Sequence, residues 1–371
     1  MKYLAAPALA TGGYHLIALI AGLGRTLSAR FQAREKQKYY PPVSILKPLK
    51  GRGPGFYEAI RSHALIDYPQ FEILFGVHDP ADPAGEDVAR LAAEFPERAI
   101  RLVVCRRKLP NPKVGVLADL AQAARYPVLV INDGDILVGR DYLRHVVPPL
   151  DATPQAGLST CLYRARGTTL PARWEALGIA TDFAPSVLVA RAIGVAEFAL
   201  GSTMALRAAD LARIGGFEAV GDYLADDYQL GRRITELGFH IMLAPAVVET
   251  RLSGETWGDI WRHQLRWART IRLSRPAGYF GYAITNASVW AALAAAAGAW
   301  PVAAACLALR LLAGVVTGVA VLGDENVARL SFLMPFRDLW GFAVWLAGTV
   351  GSTVEWQGEK LKLDKEGRIL R

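Results

Sequence analysis

From Tyr3 to Gly24 the chain carries no Asp, Glu, Lys or Arg, and such a run matches the roughly 20 apolar residues a helix needs to cross a bilayer. Backbone polar groups in lipid must be satisfied internally, so this stretch is constrained to be helical. Arg25, Arg30, Arg34, Lys36 and Lys38 follow at once. Basic residues beside a span favour the cytoplasmic side, which puts the downstream chain there. A cleaved signal peptide carries its positive charge ahead of the apolar core, where only Lys2 stands. The expectation is therefore a retained transmembrane anchor over 1–24 and a basic juxtamembrane linker over 25–40.

The last third is the other apolar block. Gly281 to Trp300 and Pro301 to Leu322 are two further runs rich in Ala and Gly, and Arg310 is the only charge between Arg275 and Asp324. They are expected to form a helical hairpin turning at Pro301. Leu339 to Val354 is short for a span and is bounded by Trp340, Trp345 and Trp356, residues at home in the headgroup layer, so this element is expected to lie in the interface. A further full span would carry the basic tail over 356–371, with Lys360, Lys362, Lys365 and Arg368, to the outside, against the positive-inside tendency. The membrane region is thus read as 279–355 in a multi-pass protein whose middle part is cytoplasmic.

The net charge of +8 accompanies a positive mean hydropathy, which excludes a polar nucleic-acid binder and suits an anionic membrane surface. Cys105, Cys161 and Cys306 are three in number and far apart, so their spacing assembles neither a disulfide framework nor a zinc site. No protein partner is implied.

Between the anchors, 41–252 alternates short apolar runs with helical patterns. Val43–Leu46, Phe71–Val77, Ile100–Val104, Val128–Asn132 and Ala156–Leu162 have strand length, and Gly55–Ala64, Gly85–Phe95 and Gly115–Arg125 have helical periodicity. This is an α/β pattern with a mostly parallel sheet, in which ligands bind beyond the carboxyl ends of the strands. Two such ends carry acids: Ile73 to Asp79, and Val128 through Asn132 to Asp133-Gly134-Asp135. No glycine-rich phosphate loop follows a strand, which disfavours a Rossmann dehydrogenase or a P-loop kinase.

Asp133 and Asp135 offer hard oxygen donors suited to Mg²⁺ or Mn²⁺ shared with a diphosphate, although a D-x-D triplet also suits a plain turn. Asp226-Asp227 opens a helical pattern running to Leu237. These acids fit a helix start, and equally a general base whose proton affinity is raised by a like-charged neighbour. Over 253–275, Ser253 is a candidate cap, and Trp257, Ile260, Trp261, Gln264, Ala268 and Ile271 recur at helical spacing among arginines. That is the pattern of an amphipathic interfacial helix.

Taken in order, His78-Asp79-Pro-Ala, Asn111-Pro-Lys113-Val, Asn132-Asp133-Gly-Asp135, Asp226-Asp227-Tyr and Gln264-Leu-Arg266-Trp267 resemble the ceramide glucosyltransferase family of inverting GT-A enzymes, which includes bacterial hopanoid glycosyltransferases. The resemblance implies a GT-A nucleotide-sugar-binding domain, an N-terminal transmembrane helix and C-terminal membrane helices. It implies Asp79 at the uridine, Lys113 at the nucleotide or diphosphate, Asp133 at ribose and metal, Asp135 at the metal, and Asp227 as catalytic base. Asp226 stands where the family's E-D-Y motif has Glu. Gln264, Arg266 and Trp267 correspond to the family's Q-x-x-R-W signature, placed at the acceptor and diphosphate. Gly201-Ser-Thr-Met204 is expected either on the acceptor side or in a buried turn.

The implied reaction moves a hexose, glucose or N-acetylglucosamine, from a UDP-sugar to a primary hydroxyl of a membrane lipid, ceramide or a hopanoid polyol, giving a β-glycoside with a divalent metal. Two rivals share these residues: a processive polysaccharide synthase, which needs more spans to form a channel, and a non-catalytic nucleotide-sugar-binding membrane protein, which has no need to keep every acid.

Overall fold

The computed structural model describes residues 5–32, 40–356 and 358–370; Arg34, Lys36 and Lys38 of the juxtamembrane cluster lie outside them. The strands are β1 (Val43–Pro48), β2 (Phe71–Val77), β3 (Ala99–Val104), β4 (Val128–Ile131), β5 (Ile136–Leu137), β6 (Ala156–Gly167), β7 (Met204–Arg207), β8 (His240–Leu252), β9 (Thr353–Trp356), β10 (Glu359–Leu363) and β11 (Ile369–Leu370). The helices are α1 (Ala6–Gln32), α2 (Phe56–Ala64), α3 (Ala84–Glu94), α4 (Pro112–Ala123), α5 (Tyr142–Val146), α6 (Leu170–Gly178), α7 (Ala184–Ala192), α8 (Ala208–Arg213), α9 (Asp226–Glu236), α10 (Trp257–Ser274), α11 (Pro276–Gly281), α12 (Ala287–Ala296), α13 (Trp300–Val315), α14 (Asn326–Leu330) and α15 (Met334–Gly348).

The chain divides into two compact units. One comprises Glu35–Tyr163 and Ala196–Arg251, the other Met1–Arg34, Arg164–Val195 and Leu252–Arg371. The first is built on a sheet of order β3-β2-β1-β4-β7-β6-β8-β5. Its half from β3 to β4 is parallel, and β7 then runs antiparallel to both β4 and β6. Every residue of β2 is buried, as expected of a central parallel strand covered on both faces, whose sequence reads as one apolar run. Side chains of β1 alternate between two cores, Val43 and Ile45 on one face and Leu46 on the other. The second face packs α4, which Asn111 caps by accepting the Val114 N–H at 3.4 Å, with Pro112 in the first turn where its missing N–H costs nothing. A methyl group on Gly115 would sit 2.4 Å from the Arg107 carbonyl oxygen, so this helix docks through its glycine.

In the second unit, the helical stretches Ala6–Ser28 and Trp300–Val321 are long and apolar enough to cross a membrane. Polarity is inverted around them. Phe336 is 59% exposed while its neighbour Arg337 is 4% exposed, and Arg310 is 2% exposed on a helix that shows Leu312 to the outside. Such burial of charge and display of apolar surface suits lipid as the surrounding medium.

Four features differ from the sequence reading. The run 281–300 is broken: α11 passes through a 3-10 turn at Tyr282–Thr285, and α12 is only 10 residues long. At the break the Asp338 carboxylate accepts from both the backbone N–H and the hydroxyl of Ser288 and so satisfies the start of α12. The hairpin turns at Gly298, with φ 81°, and Pro301 falls in the first turn of α13. Finally, 358–370 is no simple tail but completes a three-stranded antiparallel sheet with β9. The cap of α10 is Thr256, in a reciprocal box with Asp259, in place of Ser253.

Candidate active site

Residue pairing aligns the carboxyl ends of β1, β2 and β4, with Leu46 opposite both Leu74 and Ile131. Immediately beyond β4, Asn132 is fully buried. Its amide nitrogen lies 2.9 Å from the Tyr142 hydroxyl, 2.8 Å from the Ser202 carbonyl and 3.0 Å from the Thr203 hydroxyl. Lys47, also fully buried, donates to the Asp133 carbonyl oxygen at 2.9 Å and lies 3.4 Å from His63 Nε2. Burial pushes the Lys47 amine down to about 7, and burial followed by the Lys47 charge pushes His63 well below its ordinary value. The Asp133-Gly-Asp135 loop is therefore fastened from beneath. Gly134 leaves little room above it, since a Cβ there would lie 3.2 Å from Leu49.

Above this support the acids converge. Lys113 Nζ lies 2.8 Å from Asp133 and 3.3 Å from Asp226, and so links the loop after β4 to the start of α9. Burial alone would lower the Lys113 amine, but Asp133, Asp226 and Asp227 hold it above its ordinary range. Asp227 accepts the Gly201 N–H at 2.9 Å and the Tyr228 N–H at 2.7 Å. Burial, then the Asp226 charge, push its carboxyl up to about 6, with Lys113 opposing. Asp226 is raised as well, first by burial. The N-cap position of α9 is Ala225, while Asp227, in the first turn, satisfies the N–H of Tyr228, so its helix-start role and its place among these acids coexist. Asp135 accepts from the Thr250 hydroxyl at 2.5 Å, a contact made by the pairing of β5 with β8. Asp79 lies past the end of β2 at the same sheet edge and accepts the Ala81 N–H at 2.9 Å in a tight turn.

Among the described residues no group of three or more His, Cys, Asp or Glu gathers that could hold a metal. Asp133 and Asp135 nevertheless offer the hard oxygen donors that suit Mg²⁺ or Mn²⁺ when substrate phosphate oxygens complete the shell. That donor set fits a metal shared with the nucleotide.

Gln264, Arg266 and Trp267 belong to the other unit. The Gln264 carbonyl accepts the Trp340 indole N–H at 2.7 Å, and its amide donates to Glu175. Trp267 packs against His263 at 4.6 Å and Phe183 at 5.6 Å between ring centroids. Arg266 lines an open pocket with Arg262, His263 and Glu355. Gln264 is one residue closer to Arg266 than Q-x-x-R-W requires, and His263 stands at the first position by strict spacing.

Sequence reasoning passed over Lys47, His63, Thr250 and Glu175. Lys47 had a signal, a lone cation inside the apolar strand Val-Ser-Ile-Leu-Lys-Pro. The small-residue segment at 201–204 touches both Asp227 and Asn132 through its backbone, which gives it a place at the site.

The sequence profile of glycosyl transferase family 21 matches residues 11–369. Ceramide glucosyltransferase 1 of Caenorhabditis elegans is 30% identical over 200 residues, covering 53% of this chain and 43% of that protein. The probable glycosyltransferase YdaM of Bacillus subtilis is 23% identical over 253 residues, covering 64% and 56%. The chain thus spans about half the length of these curated relatives. Among solved structures, the mannosyltransferase PcManGT from Pyrobaculum calidifontis, in complex with GDP-Man and Mn2+, superposes with a TM-score of 0.53 at 22% identity, over 93% of this chain and 97% of that one. That likeness concerns the fold, the GT-A arrangement of a mixed sheet between helices. With the profile matched from within α1 to β11, the chain belongs to glycosyl transferase family 21.

Proposed function

We propose that this chain is a membrane enzyme that transfers a hexose, glucose or N-acetylglucosamine, from a UDP-sugar to a primary hydroxyl of a membrane lipid such as ceramide or a hopanoid polyol, inverting the anomeric centre to a β-glycoside. The observation that carries the reading is the juxtaposition of Asp227 with Asp226 and Lys113, with Lys113 reaching on to Asp133. A base of raised proton affinity stands beside a cation and a loop of acids suited to a nucleotide diphosphate.

In this mechanism Asp227, held by two backbone N–H groups, takes the proton of the acceptor hydroxyl as that oxygen bonds to the anomeric carbon. The bond from that carbon to the UDP oxygen breaks in line on the opposite face, and the electron pair leaves with UDP. Asp226 keeps Asp227 basic through its like charge. Lys113 receives the charge that develops on the diphosphate. Asp133 and Asp135 would hold a divalent Mg²⁺ or Mn²⁺, which supplies further neutralisation of the departing UDP. Asp79 would bind the uracil, and Arg266 and Trp267 the diphosphate and acceptor. The relatives named ceramide glucosyltransferase support a lipid acceptor, as do the two long apolar helices. Both helices are assigned as spans of a multi-pass protein, with the sheet unit on the cytoplasmic side.

The test is to incubate the purified full chain with Mn²⁺, radiolabelled UDP-glucose or UDP-N-acetylglucosamine, and lipid extract. Label entering the organic phase supports the reading. UDP-sugar binding with no transfer to any acceptor would sink it.

A further inference from the structure

Gln264 is engaged at both ends of its side-chain amide. Its carbonyl is taken by the Trp340 indole and its amide points at Glu175. Glu175 is 2% exposed and its two oxygens are divided, one accepting from Gln264 and the other from His263 Nδ1 at 3.0 Å. Burial alone would push the Glu175 carboxyl up, but the His263 hydrogen bond, the charges of His263 and Arg337, and the Gln264 amide hold it below the usual range. A carboxylate ionised in so dry a place is bound to its partners, because an unpaired buried charge is far costlier than a paired one.

The contacts continue outward to Trp267. His263, gripped by Glu175, packs its ring on Trp267, and Phe183, just beyond α6, covers the same indole at 5.6 Å. Behind α6 a second set of buried charges fixes its position. Asp182 pairs with Arg337 of α15 at 2.8 Å and with Arg310 of α13 at 2.6 Å, and Arg310 also pairs with Asp338 at 2.8 Å. The Arg337 guanidinium lies 5.0 Å from the Trp174 ring centroid. Thus α6 and α15, the two elements that grip Gln264, are themselves tied together.

We propose that Glu175 is a positioning residue for the Arg266-Trp267 segment: by holding Gln264 and His263 together it sets the rotation of α10 about its axis, and Gln264 acts through this network without touching substrate. The inference rests on the proposed transferase reading for its activity readout, and carries an independent structural one.

The test is a reciprocal exchange. Gln264→Glu alone sets two carboxylates face to face, and Glu175→Gln alone sets two amide donors face to face. Together, Glu175→Gln with Gln264→Glu restores the bond between the two positions with donor and acceptor reversed, while the new Glu can still accept from Trp340 and the new Gln from His263. Each single change is expected to lower transfer at least about tenfold, with raised KM values more than a lowered kcat, as expected of a displaced binding segment. The double variant is expected to recover most of that loss and the wild-type tryptophan signal in near-ultraviolet circular dichroism. A double variant as inactive as Gln264→Glu would overturn the proposal and place Gln264 on the substrate. Single variants with wild-type activity and spectrum would overturn it as well. If the wild type itself transfers nothing, the functional reading fails, and the dichroism of the four proteins still decides the positioning role by the same criterion.

Discussion

At the residue scale, the proposed chemistry rests on the balance between Asp226, Asp227 and Lys113. A general base must be ionised to work, so with Asp227 pushed up to about 6, kcat/KM is expected to fall as pH drops through that value, by close to tenfold per unit below it. The stability consequence has the opposite sense. A carboxyl whose folded-state value is raised favours the fold in its protonated form; that contribution is present below its unfolded value of about 4 and is lost as pH rises through about 6. Asp227→Asn keeps a neutral side chain at every pH. It is expected to abolish transfer at pH 8, to leave UDP-sugar affinity nearly intact, and to raise the thermal midpoint or leave it unchanged; wild-type turnover in that variant would remove Asp227 as the base. Asp135→Ala is expected to weaken Mn²⁺-dependent UDP binding in calorimetry, and unchanged binding would remove its metal role. These acids were legible because Asp135 follows an apolar run and Asp226-Asp227 opens a helical pattern. Their supports were not: Lys47 meets His63 across 16 positions of sequence, Asp135 meets Thr250 across 115, and Glu175 meets Gln264 across 89, and a linear pattern carries no trace of such pairings.

At the scale of elements, legibility follows burial. Strands β1, β2 and β4 are covered on both faces and announce themselves as continuous apolar runs. The long β8 has only part of its length buried and β5 has two residues, so neither carries a period strong enough to read. The broken span at 281–300 escaped for the converse reason, since hydropathy is averaged over a stretch in which Asn286 and its neighbours interrupt the helix without adding charge. Helix α4 carries Lys113 to the site, and its seat depends on Gly115. Gly115→Ala is expected to cost about 1–3 kcal/mol of stability by overpacking, because the added methyl meets rigid backbone at 2.4 Å. Chemical denaturation followed by circular dichroism reads this directly, and a loss below a few tenths would mean the helix has freedom to shift.

At the scale of the whole molecule, the two units are interleaved in sequence. The chain leaves the sheet unit within β6 and returns before β7, and the intervening segment brings Glu175 and Asp182 to the helices of the other unit. Nothing in the periodicity of 164–195 foretells that exchange; it follows from buried charges that find partners only in the folded chain. Replacing Arg310 by Leu leaves Asp182 with Arg337 alone and takes from Asp338 its ion-pair partner, and the cost expected for one broken buried pair is about 3–5 kcal/mol. The thermal midpoint in detergent should fall well below that of the wild type, and an unchanged midpoint would show the cluster to be dispensable. The basic flank of α1 and the inverted polarity of the apolar helices suit the proposed membrane enzyme. The central claim, transfer of a hexose to a lipid hydroxyl, is tested most directly by mass spectrometry of lipids from a host expressing the wild-type chain or Asp227→Asn. The account predicts a new hexosyl or N-acetylhexosaminyl lipid with the wild type and none with the variant. A lipid profile identical in both hosts, or a sugar polymer in place of a glycolipid, would contradict it.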